Sequence, residues 1–379
     1  MSDQISEFLQ ARIDAGDFPS AVYLIAEKGN IVFQEAVGYA VVEPERLEAR
    51  VDTIYDVASL TKVLVTGLLA AKLIEQGEIQ LDSLVRNYLQ DFNTEGKQNL
   101  TVRDLLVHTS RMYAWKPLYL CVSDPSKVIG EIAETPLNFE QEAVTYSDLN
   151  FIALGELLEH VTDKKLDTLA REDIFDPLGL RNTVFNPAGT VKRIVAASEK
   201  GNAFERQTCI EQGYLDGGDE NPVAIADGSN AFRNEVIWGE VHDGNAYFMG
   251  GVAGHAGLFS TAEETFKIAQ QFLPNYTTLL KSETCELFRA NFTNGMNEDR
   301  SLSFQLASTK DSTAGIQMSP ESFGHLGFTG TSLWIDPVKE RIFILLTNRT
   351  HCHSLPFVNI NSVRREFHNI VIGLLDKNL

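Results

Sequence analysis

Tyr55-Asp56-Val57-Ala58-Ser59-Leu60-Thr61-Lys62 leads into the apolar run Val63 to Ile74, and the rest of the chain is organised around this stretch. A serine with a lysine three positions on, at the start of a helix, places hydroxyl and amine side by side on one face. Such a pair is a nucleophile with its own base once the amine's pKa is lowered. Ser59 is the one serine of the chain with a lysine at that spacing. The four residues alone are a weak pattern. A serine nucleophile also needs a proton path to the leaving group and donors for the oxyanion, and these must come from elsewhere in the chain.

Working outward, Ile5, Phe8, Leu9 and Ile13 repeat at helical spacing, and Gly16 and Pro19 predict that helix's end. Ala21 to Ala26 and Ile31 to Val37 flank Lys28-Gly29-Asn30 and predict a β-hairpin. A looser segment, Glu43 to Arg50, leads to Ser59. From Leu81 to about Val241 helical patterns dominate: Thr101 to Asp104 form a capping box, and Leu149, Ile152, Ala153, Leu157, Leu158 and Val161 form a helical stripe. After Met249 the sheet signals return. Ser332 to Ile335 and Arg341 to Thr347 flank Asp336-Pro337 as a second hairpin, and Val363 to Leu375 read as a closing amphipathic helix. Helix with hairpin first and hairpin with helix last predict one α/β (α+β) domain around an antiparallel sheet. Residues 1–80 and 242–379 would build it, 81–241 would be a mostly helical insertion, and Ser59 would lie at the seam.

The chain has 379 residues, enough for two domains, with 44% hydrophobic and 22% charged residues, as in ordinary globular proteins. A formal net charge of -20 repels phosphate backbones and anionic membrane surfaces, so neither nucleic acid nor membrane is expected as a partner. Cys121, Cys209, Cys285 and Cys352 lie far apart, which argues against a disulfide framework or a zinc ribbon. The N-terminus has no basic, apolar leader and Val63 to Ile74 is too short to span a bilayer, so a cytoplasmic protein is expected. Asp216-Gly217-Gly218-Asp219-Glu220 lacks the spacing of a calcium loop and reads as a solvated loop. The glycine-rich Gly250 to Gly257 fits no phosphate-binding motif. His108 reads as structural, and His242-Asp243, His255 and His351-Cys352-His353 fix no metal geometry, so no metal or other cofactor is expected.

Two further places supply the missing chemistry. Tyr146-Ser147-Asp148 stands before the Leu149 helix with a phenol available for proton transfer, and His325-Leu326-Gly327 lies on or beside a strand where glycine admits close approach. In these three places together the sequence resembles the superfamily of class C β-lactamases, D-alanyl-D-alanine carboxypeptidases and related serine esterases. That family carries S-x-x-K, then Y-x-N, then K-T-G or H-x-G, in this order. Leu106-Val107-His108-Thr109-Ser110 and Gly257-Leu258-Phe259-Ser260-Thr261 also look like family landmarks, so the likeness covers nearly the whole chain.

The resemblance implies a β-lactamase/transpeptidase-like fold and a serine hydrolase acting through an acyl-enzyme on a small-molecule or peptide-like ester or amide, either a carboxylesterase or a D-amino-acid or peptidoglycan-fragment peptidase or amidase. Ser59 would attack the acyl carbon. Lys62 would be held neutral or share its proton with Tyr146, which would protonate the leaving group and activate the deacylating water. The backbone N–H groups of Ser59 and Phe328 would form the oxyanion hole next to Gly327. His325 would take the place of the family's lysine beside the substrate's anionic or polar end. Asp148 stands where the family has Asn, which removes the amide donor that would recognise an acylamino side chain. Arg349, after the strand Ile344 to Asn348, is a candidate for bidentate binding of a substrate carboxylate. Arg111 replaces a usual glycine, with an effect expected only on a local turn. The rival readings are a catalytically silent binding protein of the same fold, a weak β-lactamase, and a metal-dependent hydrolase using His242 and His255.

Overall fold

The computed structural model describes residues 2–187, 194–216, 232–351 and 354–377. Two-residue periodicity at both ends of the chain yields one sheet. β1 (Ser20–Glu27) pairs with β2 (Asn30–Val41), which carries the short β3 (Leu47–Glu48) at its edge. A second, smaller sheet holds β4 (Tyr55–Asp56), β5 (Val184–Phe185) and β6 (Leu258–Ser260), with β6 in the middle. The chain returns to the main sheet through β7 (Gln305–Leu306), β8 (Phe323–Leu326), β9 (Ser332–Asp336) and β10 (Arg341–Thr347). The main sheet runs β3-β2-β1-β10-β9-β8-β7, and every pairing within it is antiparallel. The two hairpins join where β1 meets β10, with Leu24 opposite Ile344.

Alternation along β1 and β10 divides the core. Ile25, Phe343 and Leu345 face the terminal helices Ser2–Asp14 and Asn361–Asp376, where Ile5, Leu9, Phe367 and Val371 are buried against them. Val22, Leu24, Ile344 and Leu346 face the other way, into a larger core shared with Leu60 to Ala71 and the helix Asp148–Thr162. Among the described residues no helix is long and apolar enough to cross a membrane.

The loop at Arg111 shows why glycine suits that place. Arg111 has φ 65, the left-handed region that costs an L side chain energy. Its guanidinium donates to the Gln141 carbonyl, which ties the turn down. Of the acidic loop 216–220 all but Asp216 lies outside the described residues, as do Cys352 and His353.

Candidate active site

The helix that carries Ser59 begins irregularly. Ala58 has φ 48, followed by a single tight turn over Ala58–Leu60, a widened turn over Lys62–Gly67 and then a regular α-helix over Leu68–Gln76. The strain at Ala58 is held by Asp56, whose Oδ1 accepts the Ala58 N–H at 2.8 Å while its Oδ2 accepts the His242 N–H at 2.8 Å. Thr66 Oγ1 donates to the Gly254 carbonyl at 2.6 Å and seats the helix on the glycine-rich segment. A Cβ at Gly254 would collide with the Phe151 carbonyl, so close backbone packing accounts for this glycine.

Lys62 is fully buried, and its ammonium donates to Ser59 Oγ at 3.0 Å, Asp148 Oδ1 at 2.6 Å and the His255 carbonyl at 3.0 Å. The Lys62 ammonium lies 5.0 Å from the centre of the Tyr146 ring, which puts the phenol beside the Ser59–Lys62 pair. Sequence motifs 87 residues apart, at Ser59 and Tyr146, thus meet at one point. Burial lowers the Lys62 pKa, but the Asp148 carboxylate and Tyr146 outweigh it and the net shift is upward. This corrects the expectation of a neutral lysine: at rest Lys62 is an ammonium paired with Asp148. Burial also raises the Tyr146 pKa, with Asp148 adding to it and Lys62 opposing, so the phenol keeps its proton.

His108 holds this arrangement from behind. Its Nδ1 accepts the Ser147 N–H at 3.0 Å and its ring packs on Tyr146 at 4.9 Å between centroids. Burial, then the nearby Arg300 and Lys62, push its pKa well below the usual value, which leaves a neutral acceptor in a structural role.

His325 sits on β8 with its ring 5.6 Å from that of Tyr146. Its Nδ1 is 2.8 Å from the Leu326 carbonyl, which can only accept, so Nδ1 carries the hydrogen. Burial, Lys62 and Arg300 hold its pKa well below the ordinary value. His325 is therefore neutral, and of the anionic or polar substrate end expected beside it, it suits the polar one.

The turn after β8 fixes a peptide plane. Arg364 Nη2 donates to the Gly327 carbonyl at 2.9 Å, and the Gly330 N–H reaches the same oxygen at 3.1 Å. In a trans peptide the following N–H, that of Phe328, points the opposite way. No bond from the Phe328 or Ser59 N–H occurs among the turn and loop hydrogen bonds of the described residues. Gly327 is required here because a Cβ would run into Thr331 Oγ1 and come within 2.5 Å of the Val57 carbonyl.

Arg349 donates from Nε to the Phe328 carbonyl and from Nη1 to the Val358 carbonyl, each at 2.7 Å, with its guanidinium 4.9 Å above the Phe328 ring. Burial lowers its pKa to about 10. Two of its five donors, Nε and one on Nη1, are thus committed to backbone carbonyls, and Nη2 with the second Nη1 hydrogen is the edge left for a substrate carboxylate.

Ser59, Tyr146, Asp148, His325, Gly327, Phe328 and Arg349 all line one cleft of about 740 Å³. Sequence reasoning missed several other walls of this cleft. Phe204 and Phe357 form an aromatic cluster with the already expected Phe328, Phe204 lying 4.8 Å from Phe328 and 5.5 Å from Phe357. Arg300, paired with Glu298 at 2.6 Å, approaches the Tyr146 ring at 5.8 Å. None of these residues sits in a recognisable motif; pairing across long loops brings them together. Among the described residues no cluster of three metal-ligating side chains exists. His242 is instead bonded to Glu199 at 2.7 Å and His255 to Asp243 at 2.9 Å.

Comparison with known proteins gives the chain its family and fold relatives. The family described as beta-lactamase matches residues 5–361. A putative D-alanyl-D-alanine carboxypeptidase of Escherichia coli O157:H7 is 31% identical over 381 residues, covering 92% of this chain and 82% of the relative. One of Salmonella gallinarum is 32% identical over 379 residues, again covering 92% and 82%. Among solved structures, EstCE1, a hydrolase with promiscuous acyltransferase activity, superposes with a TM-score of 0.71 at 20% identity, covering 97% of this chain and 98% of that one. A class C β-lactamase from Rhodobacter sphaeroides superposes with a TM-score of 0.69 at 15% identity, covering 98% and 99%, and at such identities the likeness is one of fold.

Proposed function

The chain belongs to the β-lactamase family, and on that footing we propose that it is a serine hydrolase cleaving an ester or amide through an acyl-enzyme on Ser59. The observation that carries the reading is the contact of Ser59 Oγ with Lys62 Nζ at 3.0 Å, with the Tyr146 phenol beside both.

In this mechanism the Ser59 hydroxyl attacks the acyl carbon, and the oxyanion is received by the N–H groups of Ser59 and Phe328. The buried Lys62 ammonium spends its three N–H bonds on Ser59, Asp148 and the His255 carbonyl, so it cannot accept a further proton as it stands. The short contact to Asp148, 2.6 Å, offers the exit. One proton passes from Lys62 to the carboxylate, and the freed amine takes the proton of Ser59. Tyr146 then hands its phenolic proton to the leaving group and is reprotonated from Lys62, after which the cluster repeats the transfers with water as nucleophile. Arg364 takes no part in bonding changes; it orients the Phe328 N–H.

The substrate is a small-molecule or peptide-like ester or amide, with the peptide terminus named for the carboxypeptidase relatives as one candidate. A cytoplasmic site of action belongs to the same proposal and is supported by Cys121, Cys209 and Cys285, which are free thiols. The experiment is intact-mass analysis after exposure to a fluorophosphonate, short-chain nitrophenyl esters, nitrocefin and muropeptides. A single adduct that disappears in Ser59→Ala is expected. Absence of any Ser59 adduct, with binding retained, would leave a binding protein of this fold.

A further inference from the structure

Two motif positions differ in the same chemical sense from the family's Y-x-N and K-T-G forms. Asp148 stands for an asparagine and His325 for a lysine, so each exchanges a donor for an acceptor. Asp148 begins the helix Asp148–Thr162 and lines the cleft. Its Oδ1 is taken by Lys62, while Oδ2 has no hydrogen bond among the described residues. A carboxylate has no hydrogen to offer, so Oδ2 accepts only. His325 commits its Nδ1–H to the Leu326 carbonyl, and Nε2 presents a lone pair to the same cleft.

The charges nearby select what these acceptors can take. Lys62 already neutralises Asp148, and Arg300 stands over the Tyr146 ring that His325 packs against. A substrate cation would face two fixed cations there, with Glu298 engaged by Arg300. A substrate anion would find no donor at either position and would meet the carboxylate of Asp148. Neutral donors are left.

We infer that Asp148 Oδ2 and His325 Nε2 are acceptor subsites beside Ser59, and that the substrate is an ester or amide bearing a hydroxyl next to its scissile carbonyl. The inference rests on the Ser59 hydrolase reading and narrows it. Asp148 lies where an asparagine would meet the acyl side chain, so its donor belongs to the acyl group. A penicillin or cephalosporin, with a carboxylate and no hydroxyl next to its scissile carbonyl, is a poor match.

The test compares nitrophenyl esters of 2-hydroxypropanoic, 2-methoxypropanoic and butanoic acid, each kcat/KM divided by the rate of alkaline hydrolysis of that ester. With the proton from Lys62 received on Oδ1, Asp148 Oδ2 still accepts, and a hydrogen bond there predicts a preference for the hydroxyacyl ester over both others on the order of tenfold. In Asp148→Asn that advantage should shrink to about threefold or less, while an N-acetylaminoacyl ester gains relative to the hydroxyacyl ester, because the amide restores a donor. A methoxy ester turned over as well as the hydroxy ester by the wild type overturns the inference, and so does an unchanged ratio in Asp148→Asn. The wild-type ratio decides even if the variant does not fold. Failure of every ester to acylate Ser59 would instead overturn the hydrolase reading itself.

Discussion

Replacing Lys62 by methionine separates what this lysine does for the fold from what it does for the chemistry. The side chain is fully buried, and its ammonium bonds Ser59, Asp148 and the His255 carbonyl. Removing one partner of a buried ion pair costs about 3–5 kcal/mol when the remaining charge stays dry. The Asp148 side chain is 17% exposed and faces the cleft, so water can enter and reduce that cost to about 1–2 kcal/mol. The His255 carbonyl loses a bond worth about 1 kcal/mol. Against these losses, methionine carries no ammonium to desolvate, a saving of several kcal/mol, and its flexible thioether fills the same channel. The opposing effects leave the net change within about 2 kcal/mol of zero, or a shift of no more than about 4 °C in Tm for a chain this long. Catalysis has no such compensation. With no amine to receive the Ser59 proton, kcat/KM for nitrophenyl acetate should fall about 10³-fold, equal to about 4 kcal/mol in the barrier. Thermal unfolding followed by circular dichroism, beside ester turnover with Ser59→Ala as background, measures both. The reasoning fails if Lys62→Met keeps more than about a tenth of the wild-type kcat/KM. It fails equally if Tm drops by more than about 10 °C, which would make Lys62 a structural keystone.

Two further outcomes test the frame around the site. His368 is buried among Trp334, Phe343 and Phe367, with Nδ1 donating to the Thr313 carbonyl, and burial lowers its pKa to about 4. Its folded pKa lies below the unfolded one, so its stabilising effect is complete above about pH 6.5 and lost as pH falls toward about 4. In denaturant titrations His368→Phe should remove up to about 3 kcal/mol of the acid sensitivity across that window, the remainder coming from the buried His108 and His325. Gly327→Ala forces a Cβ into Thr331 Oγ1 and the Val57 carbonyl, between the turn that carries Phe328 and the strand end before Ser59. A loss of more than about 3 kcal/mol or insoluble expression is expected; wild-type Tm and activity would show that the turn relaxes freely.

How much of this was legible in the sequence depends on the range of the signal. Both hairpins were readable because a turn residue and two-residue alternation act over ten or so positions, as at Lys28-Gly29-Asn30 and Asp336-Pro337. Their union through β1 and β10 was not directly readable: residues 21 and 347 carry no mutual signal and meet because both strands are apolar on both faces and need a central place. The two-residue strand β5 escaped notice for the opposite reason, since Val184–Phe185 is too short for any periodicity. At the site, residue types told which groups could react, yet their protonation depended on neighbours that only folding supplies. Lys62 alone suggests an amine neutralised by burial; Asp148 at 2.6 Å reverses that. His325 alone suggests a group able to titrate near neutral pH, and burial, with Lys62 and Arg300 beside it, holds it neutral. Both reversals act in one direction. They place the positive charge on the proton-transfer side of Ser59 and leave uncharged or neutralised acceptors where a substrate would lie. The same serine and lysine found in β-lactam chemistry can then serve a substrate of opposite hydrogen-bonding sense, because motif residues set the reaction while their neighbours set what is allowed to reach it.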